Sequence, residues 1–249
     1  MRAWWRELSG LVLPVDCGGC GAARTLLCEP CRRSLSGGRA RRVRPSPEPY
    51  GMPPVYAAAP YRDAVRAVLL AHKERGALGL AEVLGGALAA AVRAAAPGPG
   101  GGPLVLVPVP SARRAVRARG HDPARGIALA AARELRRGGR PARVAAVLGQ
   151  RRAVADQAGL GARERRANLS GALEVRRGGV RLLAGGQVVL VDDLVTTGAS
   201  LAEAARAVRV VLPGELLPEG GPPPRTVESD RVRAAVIGGP SASFEKNWN

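Results

Sequence analysis

Apolar and polar residues follow two different periods along this chain, and the change between them is clearest from residue 188 to residue 208. Four consecutive apolar residues, 188–191, are typical of a strand that is buried on both faces. After a short polar segment, apolar residues recur at helical spacing at Leu201, Ala204, Ala205 and Val208. The pattern therefore predicts a strand, a loop over residues 192–200 and a helix. Such a loop lies at the carboxyl end of a parallel strand, where α/β proteins bind ligands.

Strands and helices also alternate through the rest of the chain, which predicts an α/β domain with a largely parallel sheet. The predicted elements are a strand at 55–59, helices at 61–74 and 80–96, a strand at 104–110, a helix at 124–137, and strands at 142–148 and 232–237. The segments without a period are a predicted linker at 35–54, a long mobile basic loop at 149–170 that suits a lid, and a disordered insertion at 213–230. We therefore divide the chain into residues 1–45 and residues 46–249.

The loop after the predicted strand at 188–191 has the residue types of a phosphate site. Thr196, Thr197 and Ser200 offer hydroxyl donors, and Gly198 allows a ligand to approach the backbone closely. The first N–H groups of the following helix are unpaired and lie at the positive end of its dipole. Together these groups predict a cradle for a phosphate.

Two acidic residues, Asp192 and Asp193, precede the predicted phosphate cradle. Carboxylates repel a bare phosphate, so we expect them to face ribose hydroxyls or a Mg²⁺ ion, which prefers oxygen ligands. A ribose 5-phosphate with free hydroxyls meets the demands of both parts of the loop. The alternative is that the two acids only cap the next helix.

All four cysteines lie near the N-terminus, as Cys17-x-x-Cys20 and Cys28-x-x-Cys31. Two such pairs complete a tetrahedral Cys₄ site that suits Zn²⁺ in a structural role. Two disulfides, a redox pair and an iron–sulfur cluster are the alternatives. Because this site and the phosphate cradle fall in different predicted domains, we expect ligand binding to survive loss of the metal better than the metal site itself does.

A second basic loop follows the predicted strand at 104–110 and runs from Ser111 to Asp122. Its arginines include Arg113 and Arg119, and a helix follows, so the arrangement repeats that of the acidic loop without the acids. Such a loop suits a pyrophosphate. The alternative is a basic loop that faces solvent, since arginine is frequent throughout the chain.

The formal net charge is +18, and all but two of the 38 basic residues are arginine. A strongly basic surface attracts polyanions, which include both nucleic acids and sugar polyphosphates. Aromatic residues make up 3% of the chain, and none occurs between Tyr61 and Phe244. A platform for stacking single-stranded nucleic acid is therefore poorly supplied.

Neither a membrane span nor a secretion signal is predicted. The longest apolar stretch, 78–96, is interrupted by Glu82 and Arg93. The first 13 residues contain Arg2 and Arg6 and have no long apolar core. We therefore expect a cytoplasmic protein without a membrane span.

Residues 188–200 resemble the phosphoribosyl pyrophosphate (PRPP) motif of the type I phosphoribosyltransferases: four apolar residues, two acids, two apolar residues, then Thr-Thr-Gly, any residue, and Ser or Thr. Over residues 11–210 the chain resembles the ComF family, the phosphoribosyltransferase-like proteins associated with DNA uptake. The matching features are the four cysteines, a segment with Tyr61, Val65, Arg66 and Lys73, Val-Pro-Val-Pro at 107–110, Arg119-Gly120, Gln157, Arg165 or Arg166, Asn168, and the PRPP motif. After Arg119-Gly120 the chain departs from the family pattern.

The resemblance implies a three-layer type I phosphoribosyltransferase-like domain with an N-terminal zinc ribbon. It implies transfer of phosphoribosyl from PRPP to an acceptor, with Asp192 and Asp193 as the catalytic acids and Mg²⁺ bound with PRPP. Arg113 and Arg119 are expected near the pyrophosphate. The alternative function is a competence factor that contacts single-stranded DNA or a helicase partner, with a regulatory or vestigial PRPP site.

Overall fold

A computed structural model of the protein describes residues 16–98, 102–152, 164, 168–212 and 232–245. Its main sheet has six strands in the order β1-β2-β8-β7-β3-β4, and a separate antiparallel hairpin joins β5 to β6. The strands are β1 (Arg41–Val43), β2 (Val55–Pro60), β3 (Leu104–Pro108), β4 (Ala142–Val144), β5 (Leu148–Gln150), β6 (Leu173–Val175), β7 (Gln187–Leu194) and β8 (Val232–Gly239). Within the main sheet β1 pairs antiparallel with β2, and the other neighbouring strands are parallel. The predicted α/β class with a largely parallel sheet is confirmed.

Helices cover both faces of the sheet, and one short 3₁₀ turn, Leu78–Leu80, precedes the third helix. The helices are α1 (Glu29–Ser36), α2 (Asp63–Glu74), α3 (Ala81–Ala95), α4 (Arg113–Arg119), α5 (Pro123–Arg137), α6 (Gly179–Leu183), α7 (Ala199–Arg209) and α8 (Ala242–Glu245). Apolar residues of β7 divide between the two faces with the strand period of two. Val189 and Val191 join the core that includes residues of α2, α3 and α5, whereas Val188 and Leu190 join the core that includes residues of α7. The domain therefore has three layers.

The register of the central strands brings two loops to one edge of the sheet. Pro108 at the end of β3 lies opposite Val191, and the N–H of Val109 donates to the carbonyl of Val191 at 2.9 Å. The chain therefore leaves β3 beside the point where Asp192 begins the acidic end of β7. This is the carboxyl edge of a parallel sheet, where ligands of α/β proteins bind.

Three segments differ from the sequence expectations. The linker predicted at 35–54 contains β1, which pairs with β2 and forms the edge of the sheet. The basic loop predicted at 111–122 contains α4, because its Arg and Ala residues are good helix formers and Gly120, at φ 73°, ends the helix. Strand β7 extends through both acids to Leu194, which lies opposite Gly238 of β8, so the acids end the strand and do not begin a loop.

Several predictions lie partly outside the described residues. Of the predicted lid at 149–170, residues 153–163 and 165–167 are not described, and Gln157, Arg165 and Arg166 fall among them. The insertion predicted at 213–230 lies wholly outside. The last predicted strand is confirmed as β8. The division of the chain at residue 45 stays a prediction.

Within the described ranges, one helical segment, Leu78–Ala95, has the length and mean hydropathy (1.5) of a membrane span. Half of it is buried in the protein, and its Leu84 and Leu88 belong to the core between the sheet and the helices. A buried core helix passes the same test of length and apolarity, so this segment is consistent with the expected absence of a membrane span.

Candidate functional site

The two acids at the end of β7 have different surroundings. Asp193 is buried, with 6% of its surface exposed, and Asp192 is half-buried. One carboxylate oxygen of Asp192 accepts the N–H of Asp193 at 2.9 Å, and one of Asp193 accepts the N–H of Leu194 at 3.0 Å. These backbone contacts fix both carboxylates at the carboxyl edge of the sheet.

Lys73, from the last turn of α2, supplies the counter-charge to the acids. Its Nζ lies 2.7 Å from Oδ2 of Asp193, across 120 residues of sequence. Burial by itself lowers the pKa of Lys73, but the charges of Asp193 and Asp192 outweigh it and raise the pKa. Lys73 therefore stays protonated, and the pair with Asp193 is a charge-assisted hydrogen bond.

The surroundings of Asp192 disfavour its charged form. Burial raises the pKa of its carboxyl well above the usual range, the adjacent Asp193 charge raises it further, and Lys73 acts in the opposite direction. The charged form of a carboxyl in these surroundings is stabilised when a hydrogen-bond donor or a cation approaches. The position is suited to a ligand that brings hydroxyl groups or a metal ion.

The predicted phosphate cradle lies between β7 and α7. The N–H of Val195 donates to the carbonyl of Gly238 at 2.9 Å, which ties the start of the loop to β8. Gly198 has φ 75°, and a Cβ at this position would overlap Met52 Sδ and lie 3.2 Å from Pro45 Cγ. Only glycine meets both constraints. The loop is therefore held against residues 45–52, in the segment that the sequence predicted to be a linker.

A cleft of about 310 Å³ runs from the cradle to helix α4. Its polar lining comes from four separate parts of the fold. These residues are Lys73, Glu74, Ser111, Arg119, Gln150, Asp192, Asp193, Thr196 and Ser200. The cleft therefore joins a hydroxyl-bearing loop, an acidic pair and a basic helix in one volume.

Arg119 provides a cationic group on the α4 side of the cleft. Its side chain is 15% exposed, and Nη1 donates to the two carboxylate oxygens of Glu74 at 3.0 and 3.3 Å. Among the described residues, Nε of Arg119 is buried without a hydrogen-bond partner. The guanidinium is thus held in place with part of its donor capacity unused.

The structure brings together most of the sequence-predicted site residues. Asp192, Asp193, Thr196, Ser200 and Arg119 all line the cleft. Thr197 does not line it, and its hydroxyl accepts the N–H of Ala199 at 3.5 Å at the start of α7. Gly198 does not line the cleft either, and it lets the loop pack closely against Met52 and Pro45. Arg113 begins α4, and its side chain lies outside the described part of the structure.

Sequence reasoning did not assign Lys73 and Glu74 to the site. They lie 118 or more positions before the acidic pair, and no local spacing connects them to it. Two signals were available for Lys73: it belongs to a segment that resembles the ComF family, and it is one of only two lysines in a chain that otherwise uses arginine. A lysine in such a composition marks a position where a compact ammonium group suits the surroundings.

The four cysteines converge beside the C-terminal half of α2, next to Val68 and Ala71. Their sulfur atoms all lie within 4.8 Å of one another, with Cys17 Sγ to Cys28 Sγ at 3.6 Å and Cys20 Sγ to Cys28 Sγ at 3.5 Å. Tetrahedral zinc with Zn–S bonds of about 2.3 Å places its sulfur ligands about 3.8 Å apart. The cluster is therefore compatible with a structural zinc site.

Electrostatics favour a cation at this cluster. Burial would raise the pKa of Cys17, but N–H groups of Cys28, Cys20 and Gly19 outweigh it and lower the pKa to about 6. Burial and the neighbouring thiols raise the pKa of Cys31. The cluster holds four thiolates only when a positive ion compensates their charge, as structural zinc does.

The cysteine cluster packs directly against α2. A Cβ at Gly18 would lie 2.9 Å from Leu80 Cδ1 and 3.4 Å from Ala71 Cβ, and one at Gly19 would lie 2.6 Å from Cys31 Sγ and 3.3 Å from Val68 Cγ2. The buried Cys17 and Cys31 share one apolar core with residues of α2 and α3. The cluster and the cleft are thus joined through a single helix.

Comparison with known proteins adds no family. No protein-family model matches the chain, and no curated protein matches it significantly. The likeness to the ComF family therefore rests on the residues described above.

Proposed function

We propose that this protein binds PRPP in the cleft and transfers its phosphoribosyl group to an acceptor, as the resemblance to the ComF family implies. The observation that carries the proposal is the convergence of an acidic pair, a hydroxyl-bearing loop at the start of a helix, and an arginine in one cleft. PRPP presents the matching groups, which are ribose hydroxyls, a 5-phosphate and a pyrophosphate. A helix cap alone does not explain an acidic pair and an arginine in the same cleft.

Each end of the ligand has a partner in the proposed complex. The hydroxyls of Thr196 and Ser200 and the first N–H groups of α7 bind the 5-phosphate. Asp192 and Asp193 accept hydrogen bonds from the ribose hydroxyls. Arg119 binds the pyrophosphate, for which its buried position and unused donor capacity are suited.

Catalysis in this proposal comes from positioning and electrostatics. The bond from the ribose C1 to the pyrophosphate oxygen breaks, the pyrophosphate leaves with the electron pair, and the acceptor forms the new bond to C1. Arg119 stabilises the charge that develops on the leaving group. The fixed acids hold the ribose so that C1 faces the acceptor.

We also propose the identity of two metals. The four cysteines hold structural Zn²⁺, since a closed set of four thiolates leaves no position for a substrate. Asp192 and oxygens of PRPP would hold Mg²⁺, which when bound neutralises charge on the phosphates. Lys73 already compensates Asp193, so Asp192 is the carboxylate with the greater need of a cation.

Calorimetry with Mg²⁺ and PRPP tests the proposal. Asp193→Asn keeps the shape of the side chain and removes its charge, so we expect the binding free energy to weaken by about 1.5–3 kcal/mol, the range for hydrogen bonds to charged groups. Asp63→Asn is the matched control, because Asp63 has 87% of its side chain exposed at the opposite end of α2 from Lys73. Wild-type affinity in both Asp192→Asn and Asp193→Asn would mean that the acids do not contribute to ligand binding.

A second candidate function, binding of single-stranded DNA, is favoured by the net charge of +18. The two functions differ in salt dependence. DNA bound through several phosphates loses affinity with a log–log slope of about −0.7 per phosphate, whereas a ligand in a partly shielded cleft loses affinity modestly. Tight DNA binding at moderate salt, with no response to PRPP, would make the DNA function the leading one.

A further inference from the structure

The C-terminal end of α2 contacts both charged sides of the cleft with two consecutive residues. Lys73 pairs with Asp193 on the β7 side, and Glu74 pairs with Arg119 on the α4 side. Two of the charged groups that are assigned to the ligand, Asp193 and Arg119, therefore already have a partner of opposite charge within the protein. The two internal partners differ in exposure, since the side chain of Lys73 is 32% exposed and that of Glu74 is 51% exposed.

We propose that Glu74 is an internal competitor for the anion that Arg119 binds. In the empty cleft its carboxylate lies on the guanidinium, and the pyrophosphate end of a ligand displaces it. This inference rests on the proposed binding of PRPP, because that function assigns the pyrophosphate to Arg119.

The geometry of the Glu74–Arg119 pair is that of a replaceable contact. Both hydrogen bonds come from the same nitrogen, Nη1. A parallel two-nitrogen contact, which arginine forms with carboxylates and phosphates in its strongest pairs, uses two donors. Nε of Arg119 has no hydrogen-bond partner within the described part of the chain. A phosphate group with three oxygens can accept from both terminal nitrogens of the guanidinium, whereas Glu74 accepts from Nη1 alone.

The difference in exposure decides which partner leaves. Arg119 is only 15% exposed, so removing its counter-ion without replacing it is costly. Glu74 is half exposed, so water solvates its carboxylate once it turns away. Displacement by an anion therefore keeps Arg119 paired and releases Glu74 to solvent, at the modest cost of an exposed ion pair.

The competition applies to one end of the ligand. A ligand confined to Thr196 and Ser200 does not reach Arg119 and does not displace Glu74. A ligand that extends along the cleft to α4 must displace it. Glu74 therefore lowers the affinity for pyrophosphate-bearing ligands and leaves that for ribose 5-phosphate unchanged.

Glu74→Gln tests this inference by calorimetry with three probes: PRPP with Mg²⁺, inorganic pyrophosphate with Mg²⁺, and ribose 5-phosphate. We expect PRPP and pyrophosphate to bind about two- to fivefold more tightly to the variant, which is the worth of a partly exposed ion pair. Ribose 5-phosphate should bind equally to both proteins. Glu74→Ala removes the same carboxylate and should give the same result, so the test does not depend on the folding of one variant.

Two further variants make the test specific. Glu82→Gln removes a carboxylate that also pairs with arginine, but on α3 and away from the cleft, and it should change no affinity. In an Arg119→Gln background, Glu74→Gln should no longer tighten pyrophosphate binding, because the two residues act on the same contact.

The outcomes separate this inference from the proposed function. If wild-type protein binds PRPP and neither Glu74 variant binds it or pyrophosphate more tightly, Glu74 is not a competitor, although the proposed function stands. If wild-type protein binds neither PRPP nor pyrophosphate at any accessible concentration, and the Glu74 variants do not bind them either, both ideas are overturned. A gain that persists in the Arg119→Gln background would also overturn the inference, since the effect would be a general change of charge.

Discussion

The cysteine cluster and the acidic cleft are both built from reactive side chains, but the distances along the chain that they bridge differ greatly. The cluster draws its four sulfur atoms from residues 17–31, and two short knuckles bring them within 4.8 Å of one another. The cleft draws its charged groups from α2, α4 and the end of β7, and its central ion pair joins Lys73 to Asp193. A site made by local spacing is visible in a sequence, whereas a site made by topology appears only in the fold.

The same helix connects these two regions, and this changes what each is expected to do. Val68 and Ala71 of α2 pack against the glycines of the first cysteine knuckle, while Lys73 and Glu74 extend into the cleft. From the sequence we expect ligand binding to survive loss of the metal better than the metal site itself does. The shared core gives a physical reason to expect that ligand binding also weakens.

The largest effect should come from breaking the metal cluster. Cys31→Ser removes a buried ligand, and because metal binding and folding are linked in small Cys₄ modules, we expect a loss of several kcal/mol of stability. Elemental analysis should find about one zinc per wild-type chain and none in the variant. Calorimetry should show weaker PRPP binding as α2 loses its support.

Ser34→Ala is the control for the metal cluster, because it changes an exposed hydroxyl on α1 that donates to the carbonyl of Pro30. It should keep both zinc and ligand affinity. Wild-type protein without zinc, when purified without a chelator, would contradict the account of the cluster. Full PRPP affinity in metal-free protein would restore the view of two independent regions.

On the cleft side, the shape of the phosphate cradle depends on Gly198. Gly198→Ala introduces a side chain at φ 75° and against Met52, so we expect a loss of about 1–3 kcal/mol of stability together with weaker PRPP binding. Gly86→Ala is the matched control on α3, where an added Cβ meets open space, and it should stabilise the protein by up to about 1 kcal/mol. Equal melting temperatures for the two variants would show that the loop tolerates another shape.

The two adjacent acids should have opposite effects on stability. Asp193→Asn leaves the ammonium of Lys73 without its charged partner and should destabilise the protein by about 1–3 kcal/mol. Asp192→Asn removes a carboxylate that burial and Asp193 disfavour, and it should stabilise the protein by on the order of 1 kcal/mol at neutral pH. Thermal unfolding of both variants decides between this account and one in which the acids are equivalent.

The pH dependence gives the sign of the Asp192 effect. The raised pKa of Asp192 means that the native state binds more protons at this carboxyl than the unfolded state, over a window that begins near its ordinary value of 3.8. Stability from this group is therefore present at low pH and lost as pH rises through that window. The gain in stability from Asp192→Asn should therefore increase as pH rises. A gain that is the same at all pH values would show that it does not come from the raised pKa of Asp192.

Much of the fold was predictable because β7 and its neighbouring helices repeat simple periods. The apolar residues at 188–191 and the helix predicted at 61–74 correspond to a strand and a helix that the structure contains. Strand β1 escaped prediction because three residues at a sheet edge carry too little pattern, and α4 because its arginines read as a loop. Strand β1 is stabilised by pairing with β2, and the end of α4 is set by Gly120 alone.

The predicted site was incomplete for a related reason. Asp192, Asp193, Thr196 and Ser200 belong to one continuous motif, whereas Lys73 and Glu74 reach the cleft only because α2 packs beside the carboxyl edge of the sheet. Ion pairs across the cleft depend on the register of β3 and β7, which the sequence does not encode locally. The two residues that were not predicted, Lys73 and Glu74, are those that compensate the charges of Asp193 and Arg119.

Amide hydrogen exchange with and without PRPP and Mg²⁺ tests the central claim most directly, namely that three separate segments form one ligand site. We predict slower exchange on ligand addition at the end of α2 (residues 70–77), around α4 (residues 111–120) and in the loop after β7 (residues 190–200). Residues 29–36 of α1, none of which lines the cleft, should change much less. Protection confined to residues 190–200 would limit the site to the motif, and no protection in any of the three segments would contradict the account.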